Sequence, residues 1–185
     1  MKALLSFSLL LLAVILMAFS CSTPGDVSPQ LPLTFSYTLL NASGDSTLTF
    51  SEGEEISFRF KIKNDTEEPI ILYNFLRDLL GTDGAFYVEQ KISMEPDSES
   101  KWIRVGRACT PYYITDIGGI GISAHSFYEI KFKWFDTLSG SCEKANPPLN
   151  KGNYRSSFTC KFTGNGGTYA GVSTTQTFNV QFTVK

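Results

Sequence analysis

LNKGNYRSSFTCKF, residues 149–162, is the stretch that says most about the fold, because it predicts a turn that leads into a long β-strand. Asn150 and Gly152 are typical turn residues. After them, Tyr154, Phe158 and Phe162 fall on one phase of a two-residue period, and polar residues occupy most of the other phase. Successive side chains of a strand point to opposite faces, so this alternation predicts one buried face and one solvated face.

Leu149, Gly152 and Tyr154 have the spacing of a known structural motif. A leucine, a glycine three residues later and a tyrosine two residues after that resembles the tyrosine corner of immunoglobulin-like and fibronectin-like β-sandwiches. The resemblance implies that the Tyr154 phenol hydrogen-bonds back to the backbone at the corner. The alternative is a β-hairpin arm with a buried tyrosine. Neither interpretation bears on chemistry.

A second resemblance lies around residue 60. The acidic, glycine-containing turn at 52–54 precedes an alternating strand, Ile56 to Ile62, whose other phase is polar and charged. This pattern resembles the second strand of bacterial sandwich modules, including the BsuPI-type domain first named for an intracellular proteinase inhibitor. The disulfide of antibody domains is not implied, because residues 56–62 contain no cysteine and Cys160 lies six residues past Tyr154 rather than two.

Further alternating segments predict an all-β fold. Residues 33–39, 128–134 and 178–184 each place apolar side chains on one phase. Residues 69–75 are mostly apolar, which predicts a central strand, and residues 76–84 predict one helical turn or a wide loop. We therefore expect an immunoglobulin-like antiparallel β-sandwich of about eight or nine strands, forming a single domain over residues 33–185, with no substantial helix after the N-terminal signal segment.

The first 32 residues predict export and attachment to a membrane. Residues 1–20 combine a short positive start with an apolar run that is short for a membrane span, which is typical of a signal peptide. Small residues followed by Cys21 resemble the lipobox of bacterial lipoproteins, in which that cysteine is acylated and becomes the new N-terminus. Residues 21–32 would then be the lipidated cysteine and a flexible tether. This implies a membrane partner and a cell-envelope location, at the outer membrane or the periplasmic face; the alternative is a secreted protein.

If Cys21 is acylated, the other three cysteines allow one disulfide; if it is not, the four cysteines allow two. If residues 128–134 and 154–162 form consecutive strands, the loop that contains Cys142 lies at one end of the fold. Cys160 then lies about 20 Å along its strand from Tyr154, toward the other end. Cys109 precedes the 128–134 strand and is expected at the same end as Cys160. We predict a Cys109–Cys160 disulfide, with Cys109–Cys142 as the alternative.

The sequence offers little support for catalysis or metal binding. His125 is the only histidine, so a serine or cysteine hydrolase would depend on it, but no nucleophile motif accompanies it. No metal-binding pattern is present. The 16 basic and 18 acidic residues include no basic run, which gives no indication of nucleic-acid binding. We predict a protein that is not an enzyme and has neither cofactor nor metal site.

The remaining hypotheses concern binding. The first is an envelope-anchored module that binds a protein or a glycan through its loops. Arg107, Tyr112 and Tyr113 are the candidate binding-loop residues, and Phe86 and Tyr87 are candidate exposed aromatics. The alternative, suggested only by the resemblance, is a secreted or periplasmic proteinase inhibitor with residues 107–111 as its inhibitory loop.

Overall fold

A computed structural model describes residues 30–81, 85–92, 100–108, 119–135 and 146–185. In these residues the chain forms ten β-strands, one α-helix and one 3-10 helix. In chain order they are β1 (Leu33–Leu40), β2 (Thr49–Phe50), β3 (Ser57–Asn64), β4 (Ile70–Leu72), α1 (Phe75–Gly81), β5 (Tyr87–Ile92), β6 (Lys101–Arg107), β7 (Ile120–Ile122), β8 (Phe127–Lys133), β9 (Gly152–Thr163), the 3-10 helix (Gly167–Tyr169) and β10 (Ser173–Val184). The predicted all-β class is confirmed. Within the same ranges, neither helix has the length and apolar character that crossing a membrane requires.

The strands belong to three sheets. One has the order β1-β3-β8, a second has the order β2-β10-β9-β5-β6, and β4 pairs with β7 in a third. All pairings are antiparallel except that of β2 with β10. The longest ladder joins β9 to β10, from Thr163 opposite Ser173 to Gly152 opposite Val184. This hairpin supplies the middle of the five-stranded sheet.

Aromatic side chains join the three-stranded sheet to the five-stranded sheet. The ring of Phe35 on β1 stacks on that of Phe162 on β9, with centroids 4.4 Å apart. Phe60 on β3 meets Phe178 on β10 at 5.1 Å. Ring pairs at such distances add about 0.5–1.5 kcal/mol each beyond the burial of their area. The sheet faces that carry these rings are therefore in contact, and we call the other face of each sheet its outer face.

Two tyrosines place their hydroxyl groups against specific acceptors inside this core. Tyr154 Oη donates to the carbonyl oxygen of Asn150 at 2.7 Å, so the hydrogen bond implied by the tyrosine-corner resemblance is present. Burial raises the pKa of Tyr154, and the negative charge of Glu52 raises it further. Tyr37 Oη lies 2.9 Å from Ser156 Oγ, across the two sheets. Burial raises the pKa of Tyr37 well above its usual range, and the hydrogen bond from Ser156 offsets only part of that rise.

Residues 69–75, which were predicted to form one central strand, instead form a short strand and the start of a helix. Only Ile70–Leu72 forms a strand, which pairs with β7 in the two-stranded sheet and makes an isolated bridge from Leu72 to Gly164. Asn74 adopts a left-handed backbone conformation at φ 49°, which ends the strand, and its carbonyl oxygen accepts the first hydrogen bond of α1, from Asp78 N. Phe75 and Leu79 lie one helical turn apart and are both buried, so α1 covers part of the core. Of the two predictions for residues 76–84, a helical turn or a wide loop, the structure shows the helical one, and the helix begins one residue earlier, at Phe75.

Candidate functional site

Several of the predicted site residues lie outside the described residues. These are the lipidation site Cys21, the disulfide candidates Cys109 and Cys142, and the loop tyrosines Tyr112 and Tyr113. Acylation, disulfide pairing and the role of that loop therefore stay predictions. Cys160 is described, and its side chain is buried on the inner face of β9, on the phase that the alternation predicted.

Of the other candidate residues, one lies in the core and two are half-buried at the surface. Phe86, a candidate exposed aromatic for which a core position was the alternative, is fully buried and contacts Phe132 with ring centroids 4.7 Å apart. Its backbone is left-handed, at φ 60°, immediately before β5 begins. Tyr87 is half-buried on the outer face of the five-stranded sheet. Arg107 ends β6 and is also half-buried, because its guanidinium donates to the carbonyl oxygens of Ala85 and Leu80.

His125 lies on the surface next to a carboxylate. Its backbone is left-handed at φ 51°, and Nε2 is 3.0 Å from Glu67 Oε2. Both side chains are exposed to solvent, which is the setting of a weak surface ion pair. The contact is not the histidine–nucleophile contact that a hydrolase needs. In the described ranges, no group of three or more potential metal-ligating side chains is present.

A group of charged and aromatic side chains gathers instead on the outer face of β9, β5 and β6. Glu89 on β5 is opposite Arg155 on β9 and opposite Arg104 on β6, so the three residues form one row across three strands. Tyr87 is opposite Arg107, and Lys91 is opposite Trp102. We call this set the arginine–aromatic cluster: Tyr87, Glu89, Lys91, Trp102, Arg104, Arg107 and Arg155.

Two arginines of the cluster lie on aromatic rings. Arg104 Cζ is 4.0 Å from the centroid of the Tyr87 ring, and Arg155 Cζ is 4.5 Å from that of Trp102. Arg155 Nε also donates to Glu89 Oε2 at 2.7 Å. A cation–π contact contributes about 0.5–1 kcal/mol at an exposed site. Each guanidinium is thus held against the face of a ring, which reduces the entropy that it loses when it binds an anion.

A β-bulge places Arg104 and Arg107 on the same face. Their spacing is odd, so in a regular strand they would point to opposite faces. The register between β5 and β6 shifts after Val88: Gly106 is opposite Val88, but Arg104 is opposite Glu89, which leaves an extra residue in β6. Both arginines then approach the Tyr87 ring, with the Arg107 Cζ 5.3 Å from its centroid. Bulges commonly redirect side chains at binding sites in this way.

The charge of the cluster is opposite to that of the chain. Its four cations and one carboxylate give a net of three positive charges, whereas the chain carries a net charge of −2. Guanidinium groups form planar, paired hydrogen bonds with carboxylate, sulfate and phosphate groups. The cluster offers such groups but contains no nucleophile with an adjacent base. Its chemistry is that of anion binding rather than catalysis.

Comparisons with known proteins assign the chain to no family. No protein-family model matches it, and no curated protein matches it. One solved structure, described as the X-ray structure of Northeast Structural Genomics Consortium target SoR45, has a TM-score of 0.31 and 9% sequence identity, and the alignment covers 82% of this chain and 88% of that one. A similarity at this level carries no argument about function.

Proposed function

We propose that this protein is a lipoprotein of the cell envelope whose immunoglobulin-like β-sandwich domain binds an acidic glycan, without catalysis, through the arginine–aromatic cluster. The cluster is the observation that carries the proposal. It places two aromatic rings and the guanidinium groups of Arg104 and Arg155 on one sheet face, fixed by ring contacts and by an ion pair, and hydrogen bonds to backbone carbonyl oxygens hold the guanidinium of Arg107 beside them.

The sandwich is supported by the contacts between the two larger sheets and by the tyrosine hydrogen bond. Phe35–Phe162 and Phe60–Phe178 are ring pairs between the sheets, as expected of two packed layers. The bond from Tyr154 to Asn150 is the one found at the tyrosine corner.

Membrane attachment is supported only by the sequence of residues 1–32, through the signal-like segment and Cys21. Secretion without an anchor is the alternative.

The polar side chains on the surrounding surface favour a glycan over a compact protein partner. Beyond the cluster, the outer face of β9 and β10 carries small polar side chains, such as Thr159 and Thr177, whose hydroxyl groups hydrogen-bond to each other at 2.9 Å. An extended chain with many hydroxyl groups and regular acidic groups matches such a face. A compact protein partner would usually bury a hydrophobic centre within its interface. On the described surface, Ile103 is the only exposed large hydrophobic side chain that comes from β6, so the strands of the cluster do not provide such a centre.

The proteinase-inhibitor alternative gains nothing from the described residues. An inhibitory loop presents an extended, accessible side chain to the protease. Arg107, the first residue of the predicted loop, instead directs its guanidinium to the backbone of Leu80 and Ala85, and the next residue, Ala108, is buried.

Calorimetric titration of the purified protein with hyaluronan tests the proposal, with neutral dextran and polyglutamate as comparison ligands. We expect hyaluronan to bind, binding to weaken with salt, and dextran not to bind. Arg104→Gln should weaken hyaluronan binding by about tenfold to a hundredfold, because hydrogen bonds to charged groups contribute about 1.5–3 kcal/mol. Lys131→Gln removes a cation from the other large sheet, away from the cluster and from the β9–β10 surface, and should change affinity less than twofold.

Three results would contradict the proposal in different ways. Equal binding of dextran would show that acidic groups are not recognised. An unchanged affinity in Arg104→Gln would place the site elsewhere. Binding of polyglutamate without hyaluronan would indicate an acidic protein as the partner.

A further inference from the structure

Glu89 is the one carboxylate within the arginine–aromatic cluster, and its position is central. It lies between Arg155 and Arg104 in the row across β9, β5 and β6. Its side chain is 27% exposed, and Arg155 Nε holds its Oε2 at 2.7 Å. The carboxylate is therefore accessible from solvent and fixed in place.

The cations of the cluster lie on both sides of Glu89 along β5. Tyr87, with Arg104 and Arg107 near its ring, is on one side, and Lys91, opposite Trp102, is on the other. Tyr87 and Lys91 are four residues apart, which is about 13 Å in an extended strand. A ligand chain that runs along β5 therefore meets positive charge, then Glu89, then positive charge.

We infer that Glu89 determines which acidic glycans bind, by admitting chains in which a neutral sugar separates successive acids and rejecting chains with an acid on every sugar. This inference rests on the proposed function. An acid over the Tyr87 end pairs with guanidinium groups, and the next sugar lies over Glu89. A neutral sugar can donate a hydroxyl hydrogen bond to the Glu89 carboxylate there. A second acid at that position finds Arg155 already paired with Glu89 and lies against the Glu89 carboxylate, and this repulsion selects against it.

The test compares hyaluronan, which has one acid in each disaccharide, with polygalacturonate, which has one on each sugar. Fragments of equal length are titrated calorimetrically into the purified protein and into Glu89→Gln. We expect the unmodified protein to prefer hyaluronan at least about tenfold, and Glu89→Gln to reduce that preference at least about fivefold, chiefly by improving polygalacturonate binding. Glu129→Gln is the matched control, since it removes a carboxylate that pairs with Lys131 on the other large sheet, and it should leave the preference unchanged.

The outcomes separate this inference from the function on which it rests. If neither glycan binds the unmodified protein, the proposed function and this inference both fail. If both glycans bind equally, or if Glu89→Gln leaves the preference intact, only the inference fails. Loss of the pair with Arg155 could alter folding, so urea unfolding of Glu89→Gln accompanies the titration, and Glu89→Asp, which keeps the charge, should keep the preference for hyaluronan.

Discussion

The hydrogen bond between Tyr37 and Ser156 should stabilise the protein by joining its two larger sheets through a polar pair in the core. Tyr37 Oη and Ser156 Oγ are 2.9 Å apart, and Ser156 is fully buried. Tyr37→Phe leaves the serine hydroxyl without this partner, at an expected cost of about 1–3 kcal/mol in the free energy of unfolding. Ser156→Ala should cost a similar amount, because the phenol hydroxyl is then unpaired.

The double variant tests this reasoning most directly. Removing both hydroxyl groups leaves no unsatisfied partner, so its cost should be close to that of one single variant and clearly below the sum of the two. Urea unfolding at pH 7 measures all four proteins, and Ser157→Ala, on the exposed face of the same strand, is the control that should change stability by less than about 0.5 kcal/mol. Strictly additive losses would refute the coupling between Tyr37 and Ser156.

The same tyrosine predicts how stability depends on pH. Burial raises the pKa of Tyr37 above the ordinary tyrosine value of 10.0, so the folded state keeps the phenol proton where the unfolded state loses it. Stability from this group is complete below pH 10 and falls as pH rises above it, by up to about 1.4 kcal/mol per pH unit. Tyr37→Phe should lose stability less steeply between pH 10 and 11. An unchanged slope in urea unfolding would contradict this prediction.

Two further substitutions test the packing of the fold by urea unfolding. Tyr154→Phe removes the hydrogen bond to Asn150 and should cost about 1 kcal/mol; no loss would mean that water replaces the bond without penalty. Gly106→Ala would place a Cβ 2.8 Å from Cη2 of the buried Trp134 and should cost about 1–3 kcal/mol, whereas Gly121→Ala meets nothing within 4 Å and is the control. Equal stability of the two alanine variants would show that the Trp134 ring moves away freely.

The strands that sequence patterns predicted well are those with one buried and one solvated face. In β3, Phe58, Phe60 and Ile62 are fully buried, as their two-residue period indicated. The pattern failed at residues 69–75, which are mostly apolar, because a short apolar run does not distinguish a strand from a helix. The left-handed backbone of Asn74 separates the strand from the helix, and the alternation of apolar residues does not reveal such a conformation.

The arginine–aromatic cluster was missed for a related reason. Arg104 and Arg107 have an odd spacing, which places them on opposite faces of any regular strand, and the bulge in β6 brings them together. Arg155 belongs to the polar phase of its strand, which the alternation predicted to be solvated. The same alternation does not show that Trp102 and Glu89 lie beside it. Which strands are neighbours depends on pairing between distant segments, and local patterns contain little information about that.

The pairing of β10 with β2 has a consequence for the order of events during synthesis. Val184 is the register partner of Phe50, so β2, which is synthesised early, cannot form this pairing until β10 has been synthesised. β1, β3 and β8 can pair before β9 and β10 have been translated, but Phe60 then lacks the ring of Phe178 that covers it. Folding dominated by such distant pairings is slow, and the uncovered aromatic surface favours aggregation meanwhile. The risk of aggregation should therefore be greatest in the interval between the synthesis of β8 and the pairing of β10.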